Sequence, residues 1–459
     1  MVGLAIALVP TPAGLSPRAW SYFALFVTVI LAIVTEPIPA PAVGLAGVVA
    51  AAMLGLVQPT PGLSINWALS GFAHPLAWLI LSTLVLASGY EKTALGRRLA
   101  LWLISRLGRR TLGIGYAIAL TDLALAPFTP SNTARSAGTI YPVIRNIPGL
   151  FDSSPESNPR RIGAYLMYTA LAATCITSSM FPTAIAANLL AVAIVAETLH
   201  VEITWREWVL GFAPAGIVLF VAMPLLLYRL YPPALTHAPD APEWAARELR
   251  AMGRMGLVER GMLGGILLVV GLWIFGTRFT DATGAAILGV VLLVARGIVT
   301  WDDVAGNRQA WSVFVWFATL VTLAGGLAEV GVIRWVADLI ESPVSRVAVP
   351  WAIPVLIAIF FYLHYFFATV SGHTAALLPI FLFIATGPLD VAPRVAALAL
   401  GFTLGLMGIL TPYATGPAPV YYASGYIRKR DFWWFGFVMG SIFLACYLMI
   451  GLPWLISRV

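Results

Sequence analysis

The sequence predicts an all-α membrane protein, a polytopic helical bundle of two inverted repeats with two re-entrant hairpins and discontinuous helices. Three observations predict it. Of the 459 residues, 60% are hydrophobic and only 10% charged, with a mean hydropathy of +0.90, whereas a soluble domain carries about 25% charged residues. Apolar runs of the roughly 20 residues needed to cross a ~30 Å hydrocarbon layer recur along almost the whole chain. The layout of the first half also returns in the second: Trp78 lies 13 residues before Glu91 and Trp316 lies 13 before Glu329, each where a span runs into an amphipathic stretch.

In chain order, residues 1–19 form a short N-terminal segment. Its apolar run Val2–Val9 would make a helix of only about 12 Å, too short to span, ahead of Pro10, Pro12 and Pro17. It reads as a clipped first helix. No basic n-region and no A-x-A site mark it as a signal peptide. The first repeat, 20–231, has spans at 20–36, 40–57 and 74–92, then an amphipathic stretch over 91–110 with Leu99, Trp102, Leu103 and Leu107 on one side, suited to the interface. An apolar segment broken by Pro127 and Pro130 follows at 112–144, then spans at 162–198 and 207–230. A polar linker, 232–258, precedes the second repeat, 259–459. There the spans are 260–276, 281–297 and 311–328, with an amphipathic piece at 329–342, a broken segment at 350–386, and spans at 393–424 and 432–456.

The excess of seven positive charges lies in short loops rather than on one face, which speaks against a nucleic-acid partner. Three basic clusters, around Arg97–Arg110, Arg247–Arg260 and Arg428–Arg430, should all be cytoplasmic. Five crossings per half, an odd number, put the halves in opposite orientation and all three clusters, with the linker, on one side. Cys175 and Cys446 sit in apolar runs without CxxC spacing, so neither a disulfide scaffold nor a thiolate metal site is supported. HExxH, GxSxG and GxxxxGK[ST] are missing and Lys92 and Lys429 are the only lysines, which argues against an enzyme or an ATP-driven pump.

The first hairpin carries the polar cluster Thr129-Pro130-Ser131-Asn132-Thr133-Ala134-Arg135-Ser136 inside about 30 apolar residues, where polar groups are costly unless used. Proline before Ser-Asn-Thr starts a new half-helix whose free N–H groups, with the hydroxyls and the amide, offer donors to an anion. The second hairpin offers Ser371-Gly372-His373-Thr374-Ala375-Ala376 at the equivalent place. Two such tips meeting near the midplane would form one site of pseudo-two-fold symmetry, matched to a ligand with a carboxylate at each end. Two further breaks complete the cavity: Thr177-Ser178-Ser179 with Pro182, Thr183 and Asn188, and Thr411 to Pro419, where Thr411, Tyr413, Thr415 and Gly416 can reach a ligand. Helix packing through small residues is the competing explanation of the second of these.

Together the run Thr129–Arg135, the Gly372–Ala375 tip and Thr411-Pro412-Tyr413-Ala414-Thr415-Gly416-Pro417 resemble the divalent anion/sodium symporter family over essentially the whole chain. Within that family it most resembles the branch of bacterial citrate, tartrate and succinate antiporters and plastid 2-oxoglutarate/malate translocators. The resemblance implies a secondary transporter of small di- or tricarboxylates in the inner membrane, a homodimer whose hairpins move as an elevator. The family's Ser-Asn-Thr signature maps onto Ser131, Asn132 and Thr133, and its second copy onto Gly372, His373 and Thr374, which departs from it. In sodium-coupled members the cations sit beside each tip. Here Arg135 and His373 could supply fixed positive groups instead, so the expectation is sodium-independent obligate exchange with no cofactor. A Na⁺-coupled dicarboxylate or sulfate symporter is the alternative. Arg135 has a second reading, because Asp122 lies seven residues before Thr129 and Arg135 six after, so the two can pair across the hairpin arms.

Overall fold

The computed structural model describes residues 2–35, 37–276, 278–335 and 349–458. The predicted amphipathic piece at 329–342 lies outside them from residue 336 onward. The described residues form helices throughout, with no extended sheet among them. Among the described residues, five helices are long and apolar enough to cross a membrane, or six if the bent pair Pro61–Ala73 and Pro75–Lys92 is one span. Several of the shorter apolar helices belong to spans that are broken. Span 162–198 divides into helices Gly163–Met180 and Ala186–Leu199 around the extended Phe181 and Ile185. Span 393–424 divides into Pro393–Gly401, Thr403–Leu406 and Ala418–Ala423.

The two broken apolar segments turn back on themselves. Asp122 and Arg135 would be about 20 Å apart along a continuous helix, yet Arg135 Nε lies 3.0 Å from Asp122 Oδ2. Phe360 and Phe381 would be about 32 Å apart, yet their ring centroids are separated by 5.1 Å. In each case a 3₁₀ turn after the first arm, Ala126–Phe128 or Leu363–Phe366, leads into an extended residue that the helix cannot continue through.

Helix Arg308–Glu329 is the centre of the remainder. It packs against helices Ala40–Met53, Pro61–Ala73 and Pro75–Lys92, and 78% of its span is buried, against 22% of the peripheral Leu257–Phe275. The halves interlock there: the Tyr22 hydroxyl donates to the Leu323 carbonyl at 2.7 Å, and the Gly71 N–H donates to Thr322 Oγ1 at 3.0 Å. Outside the spans, Lys92 donates to Asp303, and with the Thr300 N–H this holds the Asp303 carboxyl down at about 2.

Two elements differ from expectation. Helix Pro61–Ala73, at 41° to its successor, falls where no element was predicted. Its polar Ser64, Asn66 and Ser70 hide a packing face of Trp67, Ala68 and Gly71. A Cβ on Gly71 would lie 2.0 Å from the Ala318 carbonyl oxygen and 2.6 Å from Thr322 Oγ1. Gly71→Ala should therefore part the two helices and destabilise by about 1–3 kcal/mol, read as a lowered thermal midpoint in detergent. Second, the linker is not irregular. Its Asp240–Ala251 helix has Asp240 and Glu243 in the first turn, favourable to the helix dipole, and seats the buried Ala241 and Ala245 against helix Leu95–Leu107.

Candidate functional site

Four breaks converge on one cavity of about 230 Å³, below the ~300–1,000 Å³ of drug-sized ligand sites and so fitted to a small molecule. Pro130, Ser131, Asn132 and Thr133 line it from the first hairpin, Thr369, Val370 and Ser371 from the second, Ile185, Ala186 and Ala187 from the first broken helix, and Thr415 and Gly416 from the second. Leu84, Gln309 and Val313 close it from the surrounding helices. None of these side chains is charged.

The local sequence explains how each tip is built. Around Pro127 the chain makes one 3₁₀ turn, Thr129 is extended, and a wide helix of the π type runs from Thr133 to Ile140. Such turns are rare and frequently fall at functional sites. Ser131 Oγ accepts from the Ala134 N–H at 3.2 Å. At the second tip Thr369 is the N-cap, its hydroxyl accepting from the Gly372 N–H at 3.0 Å. Helix Ala186–Leu199 begins after the extended Ile185. Three helix starts thus face one cavity, each with N–H groups that have no partner within the helix and the equivalent of about +0.5 charge.

The first tip is joined to the broken helix of the other half by direct contact. Asn132 Nδ2 donates to Thr415 Oγ1 at 2.7 Å, with both residues buried. Gly416 lies so close to Thr133 that a Cβ there would meet Oγ1 at 1.8 Å.

Each hairpin is also held to the broken helix of its own half. The wholly buried Arg135 donates to Asp122 Oδ2 and to the Thr129 and Ala184 carbonyls at 3.0, 3.0 and 2.9 Å. Its remaining nitrogen reaches the hydroxyls of Thr174, Thr177 and Ser178. On the other side, His364 Nε2 sits 2.7 Å from the Ala414 carbonyl.

Of the residues singled out from sequence, Ser131, Asn132, Thr133, Ser371, Thr415 and Gly416 come together on the cavity wall. The others do not. Arg135 takes the ion-pair reading: its donors are engaged by Asp122 and five further oxygens, and the pair is neutral, so it presents no free charge to the cavity. His373 is two residues, or about 200° of helix, beyond Ser371. Its ring lies among Phe360, His364 and Phe367 at centroid distances of 4.4, 5.1 and 5.1 Å, with neither nitrogen hydrogen-bonded among the described residues. The fixed positive group expected at the second tip is therefore not presented to the cavity. Gly372 is buried beside it, and Thr374 lies a turn deeper, its hydroxyl bonded back to the Val370 carbonyl at 2.8 Å.

Thr183 is buried and contacts the Pro127 carbonyl and the Trp205 indole. The amide of Asn188 donates to the Ser178 and Phe181 carbonyls at 2.7 and 3.0 Å, which closes the end of helix Gly163–Met180. Thr411 is buried and accepts from the Tyr413 N–H. Tyr413 is 38% exposed and donates to the Tyr365 carbonyl. Sequence reasoning missed Thr369, Gln309 and His364. For Thr369 a signal existed, since a threonine directly after Phe366-Phe367-Ala368 and before a helix is an N-cap pattern.

The family model described as the sodium:sulfate symporter transmembrane region matches residues 1–457. This chain belongs to that family, the divalent anion/sodium symporters. Within it, the chain is 42% identical over 463 residues to the L-tartrate/succinate antiporters of Shigella sonnei (strain Ss046), Escherichia coli O157:H7 and Escherichia coli (strain K12), covering 98% of this chain and 95% of each relative. The fold is like that of the Alcanivorax borkumensis YdaH transporter, a crystal structure reported to have an unusual topology. The TM-score is 0.55 at 15% identity, over 83% of this chain and 86% of that one. The family membership makes the apolar exterior, with Leu257, Leu267 and Phe275 more than half exposed, a lipid-facing surface.

Proposed function

We propose that this chain is a carrier, not an enzyme, which exchanges small dicarboxylates of the L-tartrate and succinate class across the bacterial inner membrane. The observation that carries the reading is the single small cavity where both hairpin tips and both helix breaks meet. Its walls offer the Ser131, Thr133, Thr369, Ser371 and Thr415 hydroxyls, the Asn132 amide and three helix starts. The summed partial charge of those starts, about +1.5, approaches that needed by a dianion. The 42% identity to L-tartrate/succinate antiporters supports the substrate class.

The oxygens behind the first tip also support sodium-independent exchange. Asp122 Oδ2 and the Thr129 and Ala184 carbonyls, which could otherwise gather a sodium ion, already accept from Arg135, whose guanidinium supplies the positive charge a cation would bring there. Charge on the empty site cannot come from Arg135 and His373, as the sequence suggested. It comes from the helix starts, which without a dianion face an apolar barrier uncompensated, and moving such charge is slow. The hairpins and broken helices, clamped to each other by Arg135 and His364, move as one body against the helices around Arg308–Glu329, an elevator within a homodimer.

Proteoliposomes test this. Labelled tartrate uptake should require internal succinate, fall at least about tenfold in vesicles without it, and be unchanged when Na⁺ is replaced by K⁺. Sodium-dependent net uptake into empty vesicles would favour the Na⁺-coupled symporter instead.

A further inference from the structure

A second and larger crevice, of about 800 Å³, lies away from the carrier cavity. It opens between helix Leu95–Leu107, the turn after the linker helix, helix Leu257–Phe275 and the first arm of the first hairpin. Its walls are apolar, with Leu99, Trp102, Phe128 and Leu267 among them, and Arg250 and Arg254 stand at its edge. Trp102 and Leu267 are 46% and 61% exposed, so the crevice is continuous with the lipid-facing surface.

The arginines of this region divide into two kinds. Arg98 is engaged: it donates to the Gly253 and Met252 carbonyls and to Glu259. Arg97 is paired with Glu248. Arg250 and Arg254 are exposed, and among the described residues neither has a carboxylate within 4 Å.

We propose that this crevice binds an anionic diacyl phospholipid, its phosphate on Arg250 and Arg254 and its chains along Leu99, Trp102 and Leu267. Two uncompensated cations over an apolar slot, on the side of the membrane where basic clusters gather, call for a ligand with an anionic head and a hydrocarbon body. A free phosphate lacks the second and a zwitterionic lipid cancels the first. The bound lipid touches Phe128, two residues before Pro130, and so abuts the arm that carries the first tip.

The test compares retention of phosphatidylglycerol and phosphatidylcholine by native mass spectrometry of the full-length protein in mixed micelles, with inorganic phosphate as a competitor. Wild type should retain phosphatidylglycerol selectively and phosphate should not displace it. The double variant Arg250→Gln/Arg254→Gln should retain about 30-fold less, the scale of two basic groups at an anionic surface. Arg250→Lys/Arg254→Lys should keep the selectivity, and Arg296→Gln, exposed and outside the crevice, should leave it unchanged. Should the double glutamine variant lose its thermal transition, the single Arg254→Gln and the lysine pair decide. Retention at the wild-type level in the glutamine variants, equal loss in the lysine pair, or displacement of the lipid by phosphate would each overturn the proposal.

Discussion

Replacing Arg135 by alanine is expected to cost about 3–5 kcal/mol of stability, the penalty for leaving a buried carboxylate without its partner. Asp122 is fully buried, its Oδ1 already has no hydrogen-bond partner, and its Oδ2 would lose the guanidinium. The Thr129 and Ala184 carbonyls would lose their donor as well. The double variant Asp122→Leu/Arg135→Met removes both charges, and replacing a buried pair by apolar groups is often close to neutral. Here it should recover only part of the loss, because the two carbonyls stay unsatisfied at about 1–3 kcal/mol each. Fluorescence-detected size exclusion after a heating series reads all three proteins. If Arg135→Ala melts with the wild type, the guanidinium does not hold the hairpin to the broken helix.

Gly416→Ala should reduce exchange by about 100-fold, since displacing a binding group by roughly 1 Å can cost that much in positioning. The added methyl would sit 1.8 Å from Thr133 Oγ1 and 3.1 Å from its Cβ, so the second break must retreat from the first tip. Asn132 and Thr415, which bridge the same gap, would part. Adding Thr133→Ala removes the colliding hydroxyl and should restore part of the rate, though not that of Thr133→Ala alone. Initial rates of succinate counterflow in proteoliposomes at matched protein density measure the coupling. Additive effects would mean that the two residues do not touch.

These two residues also mark what could be read without coordinates. The first hairpin was legible because Pro127 and Pro130 break a helix by covalent geometry, whatever surrounds them. The Ser131–Thr133 tip and the Thr415-Gly416 break were legible for a similar reason, since polar and glycine residues stand out in apolar spans. At the second tip the run read from sequence began at Ser371, which lines the cavity, two residues past the helix N-cap. The likeness to a Ser-Asn-Thr signature pointed to Gly372–Thr374, while the helix start is decided by the hydroxyl of Thr369. The charge state of the site was not legible either, because whether Arg135 is free depends on Asp122, Thr174 and Ala184 meeting it from three segments. Helix Pro61–Ala73 escaped for the same non-local reason: its face makes sense only beside Ala318 and Thr322. The linker helix was visible in Asp240, Glu243 and the Ala241/Ala245 spacing, yet its polar composition concealed it.

The bond from Tyr22 to the Leu323 carbonyl joins residues 301 positions apart. At ribosomal rates of about 5–20 residues per second, the nascent chain waits roughly 15 to 60 s before that carbonyl exists. Through that interval the early helices stand in the bilayer without their central partner, so the two gene halves expressed separately should each be cleared by proteases, and co-expression should rescue both.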